Sequence, residues 1–278
     1  MLKTILVTFL LLTTTLLAND AKLNKYPQAQ KWEKDANTNA DSAYNLGYTY
    51  QTKIKDYDKA IYWYKKSYEI DKRSDASLNI GYVYSNKLKN YDEAIKWYNI
   101  SAKLGEKDAY FSLGNTYNLK LKQYKKAIPY YEKALSLKQK DSALSLGLLY
   151  ENTLKDYPNA IKYYTKAYEM GDMGGAHNLA YLYNGIYKDS KKELYWYKKA
   201  AKGGYANAIK DLAHIAHEKN NNIEGGAYFI ALINVKYSKQ KVIKFLKTKW
   251  KLTDEELQKA YELQLKLDIP KHYTGGIN

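Results

Sequence analysis

The sequence predicts an all-α fold built from stacked helix-turn-helix units, and three observations predict it. A Leu/Ile-Gly pair followed three residues later by Tyr recurs at Leu46-Gly47…Tyr50, Ile80-Gly81…Tyr84, Leu113-Gly114…Tyr117 and Leu146-Gly147…Tyr150. The glycines stand 34, 33 and 33 residues apart. Thirteen residues after each glycine comes a second signature, Ala-(x)3-Tyr-(x)2-Ala/Ser, as Ala60…Tyr64…Ser67, Ala94…Tyr98…Ser101, Ala127…Tyr131…Ala134 and Ala160…Tyr164…Ala167. Apolar positions within each half-unit fall at helical spacing: Ala43, Leu46, Gly47, Tyr50, then Tyr57, Ala60, Ile61, Tyr64. A unit this short cannot bury its apolar face alone, so copies must stack. Only 4 prolines and 15 glycines punctuate the 278 residues, which argues against an all-β fold.

Taken in order, the chain opens with Met1-Leu2-Lys3 and the apolar run Ile5 to Leu17. Thirteen residues match a signal-peptide core and fall short of the roughly 20 that a spanning helix needs. Cleavage after Ala18 is expected, giving a periplasmic or secreted protein, with a retained anchor as the alternative. No cysteine is present to carry a lipid. Residues 19–40 are read as an N-terminal capping half-repeat, a lone second-type helix from Ala29 to Ala40 with Trp32 and Ala36. Residues 41–219 hold about five repeats, with small Gly and Ala where helix axes approach. Asp41, Asp75, Asp108 and Asp141 read as N-caps of first helices, in preference to a ligand-binding ladder. Asp56, Asn90 and Asp156 have that role before second helices, and Pro158 suits a first turn. The fifth copy is degenerate, with Leu179-Ala180…Tyr183 and Glu193 in place of the alanine before Tyr197 and Ala200; Leu212-Ala213 marks a sixth. Residues 220–278 read as a C-terminal helical cap: a loop at Asn220 to Asn222, then two or three helices. The last opens with a capping box, Thr253-Asp-Glu-Glu256, and runs to about Leu267 before Ile269-Pro270.

Composition excludes several classes. With no cysteine there is no disulfide, thiol nucleophile or Cys-ligated metal. The Lys, Asn, Tyr and Ile excess follows the codon bias of an AT-rich genome, so the net charge of +16, with Arg73 its one arginine, is weak evidence of a polyanionic partner. Nucleic-acid binding is not expected of an exported chain so poor in arginine. His214 and His217 share a predicted helical face with His177 one repeat earlier, yet no His-Glu-x-x-His pattern completes a metal site. Ser42, Ser145 and Ser190 lack a nucleophile context, and Gly171–Gly175 lacks the strand of a phosphate loop. No catalytic residue, metal ligand or cofactor is therefore assigned. Residues 236–251 hold seven lysines and no acid. As a helix they place Lys241, Lys244, Lys247 and Lys251 opposite Val242, Ile243, Phe245, Leu246 and Trp250. That helix is read as the array's cap, or alternatively as a helix lying on an anionic membrane surface.

The repeat signatures resemble the tetratricopeptide and Sel-one-like families over roughly residues 29–220. The segments Leu194 to Ala208 and Ala102 to Ala109 are the most Sel-one-like. The resemblance implies a right-handed superhelical α-solenoid that binds a protein or extended peptide on its concave face. It also brings an alternative, β-lactam binding or hydrolysis, from a cysteine-stapled secreted branch whose cysteines are absent here. In tetratricopeptide-like repeats the concave face is lined three residues before the family glycine and one, four and five after it. Carried over, these positions give Tyr44, Tyr48, Tyr82, Asn86, Asn115, Asn118, Glu151, Asn152, His177, Tyr181 and Asn184. Asparagine can pair with a peptide backbone through donor and acceptor, and tyrosine adds rigid apolar contact. The expected occupant is an extended, largely neutral protein segment.

Overall fold

The structure is a computed structural model that describes residues 21–233 and 235–277. The predicted signal segment 1–18 and its cleavage point lie outside the described residues. The chain divides into two compact units between Gln139 and Lys140, each an array of helix pairs. Among the described residues there is no strand, only an isolated bridge between Ile233 and Tyr237. No helix among them is long and apolar enough to cross a membrane.

The first unit contains α1 (Pro27–Glu33), then three pairs: α2 (Ala40–Thr49) with α3 (Tyr57–Asp71), α4 (Ser74–Tyr82) with α5 (Tyr91–Lys103), and α6 (Lys107–Asn115) with α7 (Tyr124–Ser136). The capping helix is shorter than expected and starts at Pro27. From Lys34 to Thr38 the polar run Asp35-Ala-Asn-Thr38 forms turns, although Ala29 and Ala36 are buried against the first pair as expected. The second unit contains α8 (Asp141–Leu148) with α9 (Tyr157–Glu169), α10 (Met173–Leu182) with α11 (Ser190–Lys202), and α12 (Ala206–Glu218). Three more helices close it: α13 (Asn222–Ala231), α14 (Lys239–Thr248) and α15 (Asp254–Gln264). The capping box at Thr253 and Glu256 is formed. On α14 the apolar residues Val242 and Leu246 are buried with Trp250 in the core of the second unit.

Both sequence signatures meet at one packing contact. A Cβ placed on Gly47, Gly81 or Gly114 would lie 2.7, 2.5 and 2.5 Å from the ring of Tyr64, Tyr98 or Tyr131. The glycine thus gives the second helix's tyrosine room to lie flat against the first helix, and those tyrosines are essentially inaccessible. Gly147 and Tyr164 repeat the contact in the second unit.

The turn within each repeat has a form that the spacing did not reveal. In the first five repeats the first helix widens into a π-helical turn: Tyr50–Ile54, Val83–Leu88 and Thr116–Lys120 in the first unit, Leu149–Leu154 and Tyr183–Tyr187 in the second. A lysine with positive φ follows, at Lys55, Lys89, Lys122, Lys155 and Lys188. This reverses the chain so that the N–H at positions 56, 90, 123, 156 and 189 donates to the carbonyl of Tyr50, Tyr84, Tyr117, Tyr150 or Tyr183, at 2.8–3.0 Å. The tyrosine three after the family glycine is therefore where the turn closes.

The second-helix caps form as predicted: Asp56, Asn90 and Asp156 accept from the backbone N–H three residues on, at 3.2, 3.1 and 3.1 Å. The first-helix caps need correction. Asn39 caps α2 and Glu106 caps α6, while Asp41, Asp75, Asp108 and Asp141 lie inside the first turn. There they face the positive end of the helix dipole without holding the cap.

Candidate partner-binding surfaces

In the first unit the concave-face positions divide into exposed and internally committed side chains. Tyr48 and Tyr82, one residue after their glycines, are 51% and 41% exposed. Asn86 is half-buried and makes only a long contact, 3.4 Å, to the Tyr82 carbonyl. Tyr44 is held from several sides. Its hydroxyl accepts from Asn79 Nδ2 at 2.8 Å, its ring lies 5.4 Å from Tyr64, and Arg73 sits over its face at 4.8 Å. Asn115 and Asn118 are drawn inward: the Tyr131 hydroxyl donates to Asn115 Oδ1 at 2.7 Å and accepts from Asn118 Nδ2 at 3.3 Å. Burial pushes the Tyr131 phenol up to about 12, and the Asn118 bond opposes that rise.

The residue four after the family glycine has the same duty along the array. Gln51 accepts from the Tyr64 hydroxyl at 2.7 Å, Ser85 bonds Tyr98, and Glu151 accepts from Tyr164. A tyrosine whose ring is buried still needs a partner for its hydroxyl. This position supplies it in four repeats. In the fifth, Asn184 bonds the buried Glu193 carboxyl, which burial raises above the usual carboxylate range.

In the second unit Tyr181 is 64% exposed, and Asn152 and Asn184 are exposed within their π turns. His177 is not free to coordinate an outside group. Its Nε2 lies 2.8 Å from Asp211 Oδ2, and its ring packs 5.0 Å from Tyr205 and 5.6 Å from Tyr197. His214 and His217 are packed rather than displayed. His217 stacks on Trp250 at 4.2 Å and bonds Asn222 Oδ1 at 2.6 Å; His214 meets Phe229 and Trp250 edge-on. Burial, then the nearby Lys210, lowers the His214 pKa. Among the described residues no three His or acidic side chains converge as a metal cluster.

Two features escaped the sequence reading. Arg73 binds Asp75 through Nε at 3.0 Å and Nη2 at 2.8 Å, and also contacts Asp41. The lone arginine, two residues before an acid and one repeat after another, was the available signal. The second feature is a cleft of about 420 Å3 in the second unit, between Lys210, His214, Phe229, Tyr237 and α14 residues Lys241, Val242 and Phe245. Lys210 and His214 stand three before and one after Ala213, the positions that supplied the other candidates, so extending that rule to the degenerate sixth repeat would have found the cleft.

The Sel1 repeat family matches residues 40–71, 74–106, 141–172 and 175–205, and the tetratricopeptide repeat family matches 107–141. No curated protein matches the chain. Among solved structures, a protective antigen of uropathogenic Escherichia coli displaying an SLR fold is 22% identical with a TM-score of 0.59. The match covers 86% of this chain and 55% of that one, so this chain spans about half of the antigen's length. A Sel1 repeat protein from Oxalobacter formigenes is 28% identical with a TM-score of 0.50, covering 82% and 88% of the two chains. The pilF protein of Pseudomonas aeruginosa is 19% identical with a TM-score of 0.52, covering 76% and 97%. These similarities agree on an all-α, solenoid-type repeat fold.

Proposed function

We propose, from the premise that this chain belongs to the Sel1 and tetratricopeptide repeat family, that it is an exported scaffold binding a protein or peptide partner through its first helices. The observation that carries this reading is a division of labour among the tyrosines. Tyr64, Tyr98, Tyr131, Tyr164 and Tyr197 are buried as packing residues, while Tyr48, Tyr82 and Tyr181 stand in solvent on first helices. Exposed tyrosines at one repeated position offer large contact area at low entropic cost, the chemistry of a protein-binding surface. The polar members that remain available beside them are Asn86 and Asn152, while Asn184 is engaged by Glu193. Asn115, Asn118 and Glu151 support the fold, and His177 is engaged by Asp211.

The test is crosslinking in intact cells followed by identification of captured proteins. Tyr48→Ala with Tyr82→Ala, and separately Tyr181→Ala, should reduce recovery of a specific partner with little change in thermal stability. Undiminished recovery by both variants would remove the first-helix surface from consideration. Export rests on the sequence of residues 1–18, and the expected mature N-terminus is Asn19. N-terminal sequencing that begins at Met1 would favour a retained anchor.

A further inference from the structure

The turn of the third repeat reads Leu119-Lys-Leu-Lys-Gln-Tyr-Lys-Lys126. Lys120, Lys122, Lys125 and Lys126 are exposed, none has a carboxylate partner among the described residues, and Leu119 is 54% exposed beside them. The two preceding turns of the same unit also carry lysine–apolar–lysine, as Lys53-Ile54-Lys55 and Lys87-Leu88-Lys89, with Leu88 41% exposed. The π turns Val83–Leu88 and Thr116–Lys120 each pack on the second helix of the repeat before, and Lys87 Nζ reaches 5.9 Å from the Tyr57 ring centre. The three turns therefore share one edge of the unit. Of the acids nearby, Asp56 holds a cap and Glu93 pairs with Lys96, while Asp58 and Asp92 remain exposed. Positive charge is consequently densest at residues 119–126.

The backbone supplies a second observation. Lys122 has φ 57°, a conformation that glycine adopts without penalty and lysine does not. The ends of the second helices need the same conformation, and there glycine stands at three of five positions: Gly105, Gly171 and Gly204, against Lys72 and Lys138. The turns within repeats carry lysine at all five. Where only backbone geometry matters the chain mostly uses glycine; at this edge it keeps a cationic side chain despite the strain.

We propose that this edge of the first unit, centred on residues 119–126, rests on an anionic lipid surface. The lysines would meet headgroup phosphates, and Leu88 and Leu119 would enter the apolar boundary beneath them. A polyanion such as a nucleic acid would engage the lysines and leave the leucines in water, so the paired leucines favour lipid. The basic helix α14 is the weaker candidate, because its Val242 and Leu246 already lie in the second unit's core.

The test is flotation of the full chain with phosphatidylcholine vesicles, with and without phosphatidylglycerol, at low and high salt. Binding to pure phosphatidylcholine measures the contribution of the apolar run near the N-terminus, and the phosphatidylglycerol-dependent increment measures the edge. Replacing Lys120, Lys122, Lys125 and Lys126 with Gln should reduce that increment about tenfold or more. Leu119→Ser should reduce it severalfold. Lys122→Gly separates binding from folding, because it should raise the melting temperature while lowering vesicle binding. Lys239, Lys241 and Lys244→Gln on α14 should leave the increment nearly unchanged. An increment that is absent, unaffected by the four turn substitutions, or lost with the α14 substitutions instead would overturn the proposal.

Discussion

Gly114→Ala sets helix propensity against packing. Alanine in a helix interior is worth about 1 kcal/mol over glycine, so propensity alone predicts a more stable protein. The structure predicts the reverse. A Cβ at position 114 would lie 2.5, 2.6 and 3.0 Å from Cδ1, Cε1 and Cγ of Tyr131. Carbon pairs rest at about 3.5–4.0 Å, so the ring must retreat by about 1 Å. It has little freedom to do so, being fully buried, held at its hydroxyl by Asn115 and Asn118, and set 5.7 Å from Phe111. Overpacking costs about 1–3 kcal/mol, and a ring held this firmly belongs to the upper part of that range, about 2–3 kcal/mol, which leaves a net loss of about 1–2 kcal/mol after the propensity gain. Gly114→Leu should lose about 3 kcal/mol. Urea titration followed by helical circular dichroism measures both, and a broadened transition is expected where one repeat weakens among coupled neighbours. Gly185→Ala is the control: its Cβ meets nothing within 4 Å, so that variant should be neutral or slightly stabilised. If Gly114→Ala is as stable as the parent, the glycine–tyrosine contact does not set the helix spacing.

Lys138, with φ 59° where Gly105 and Gly171 stand in neighbouring repeats, should give about 0.5–1 kcal/mol of added stability when replaced by glycine, read as a raised melting temperature. Arg73→Gln should cost about 1 kcal/mol or less at low salt and less still at high salt, since Asp41 and Asp75 are 79% and 40% exposed. Burial alone would raise the Asp75 pKa, but the Arg73 hydrogen bonds and charge outweigh it and the net shift is downward. That contribution is present above the unfolded carboxylate value and is lost as pH falls through the lower folded value, so Arg73→Gln should flatten the acid limb of stability against pH. His214 is shifted the same way, by burial and then Lys210, with Asp211 and Glu218 opposing. Its neutral form is favoured in the fold, so stability should fall as pH drops below the unfolded value near 6.5, and His214→Gln should remove that decline in melts between neutral and mildly acidic pH.

The repeat was legible because its packing contact is written in residue types. Glycine and tyrosine seventeen positions apart meet in each of the first four repeats, and a register error would have separated them. The second-helix caps were equally readable, since Asp or Asn before an apolar helix has one dominant local use. The π turns were not legible. Closure at Tyr50, Tyr84 and Tyr117 depends on a lysine adopting positive φ, which residue type disfavours and tertiary closure imposes. The first-helix caps slipped for a related reason, because an acid in the first turn satisfies the helix dipole as well as a cap does. At the candidate surface, family positions named the residues but could not show which polar side chains were already committed. That commitment is set by tyrosine hydroxyls thirteen to sixteen residues away in sequence.

Those hydroxyls explain why polar residues on these first helices carry unequal weight. Each of the first four repeats buries one tyrosine ring against its glycine, and the phenol oxygen at the ring's far end must then be satisfied. Gln51, Ser85, Asn118 and Glu151 do this, and they share only the ability to bond a hydroxyl. Variation at this position therefore reflects tolerance of the pairing rather than a changing ligand. The positions one and five residues after the glycine carry no such duty in most repeats. The first holds Tyr48, Tyr82, Leu148 and Tyr181 outside the third repeat, and the second holds Thr52, Asn86, Leu119, Asn152 and Gly185; Thr52 and Asn86 are half-buried and the others exposed. These side chains are aromatic or apolar at the first position and of mixed type at the second, where Asn86 and Asn152 are the amides. The proposed neutral partner segment rests on these two positions, not on the full set that family geometry supplies.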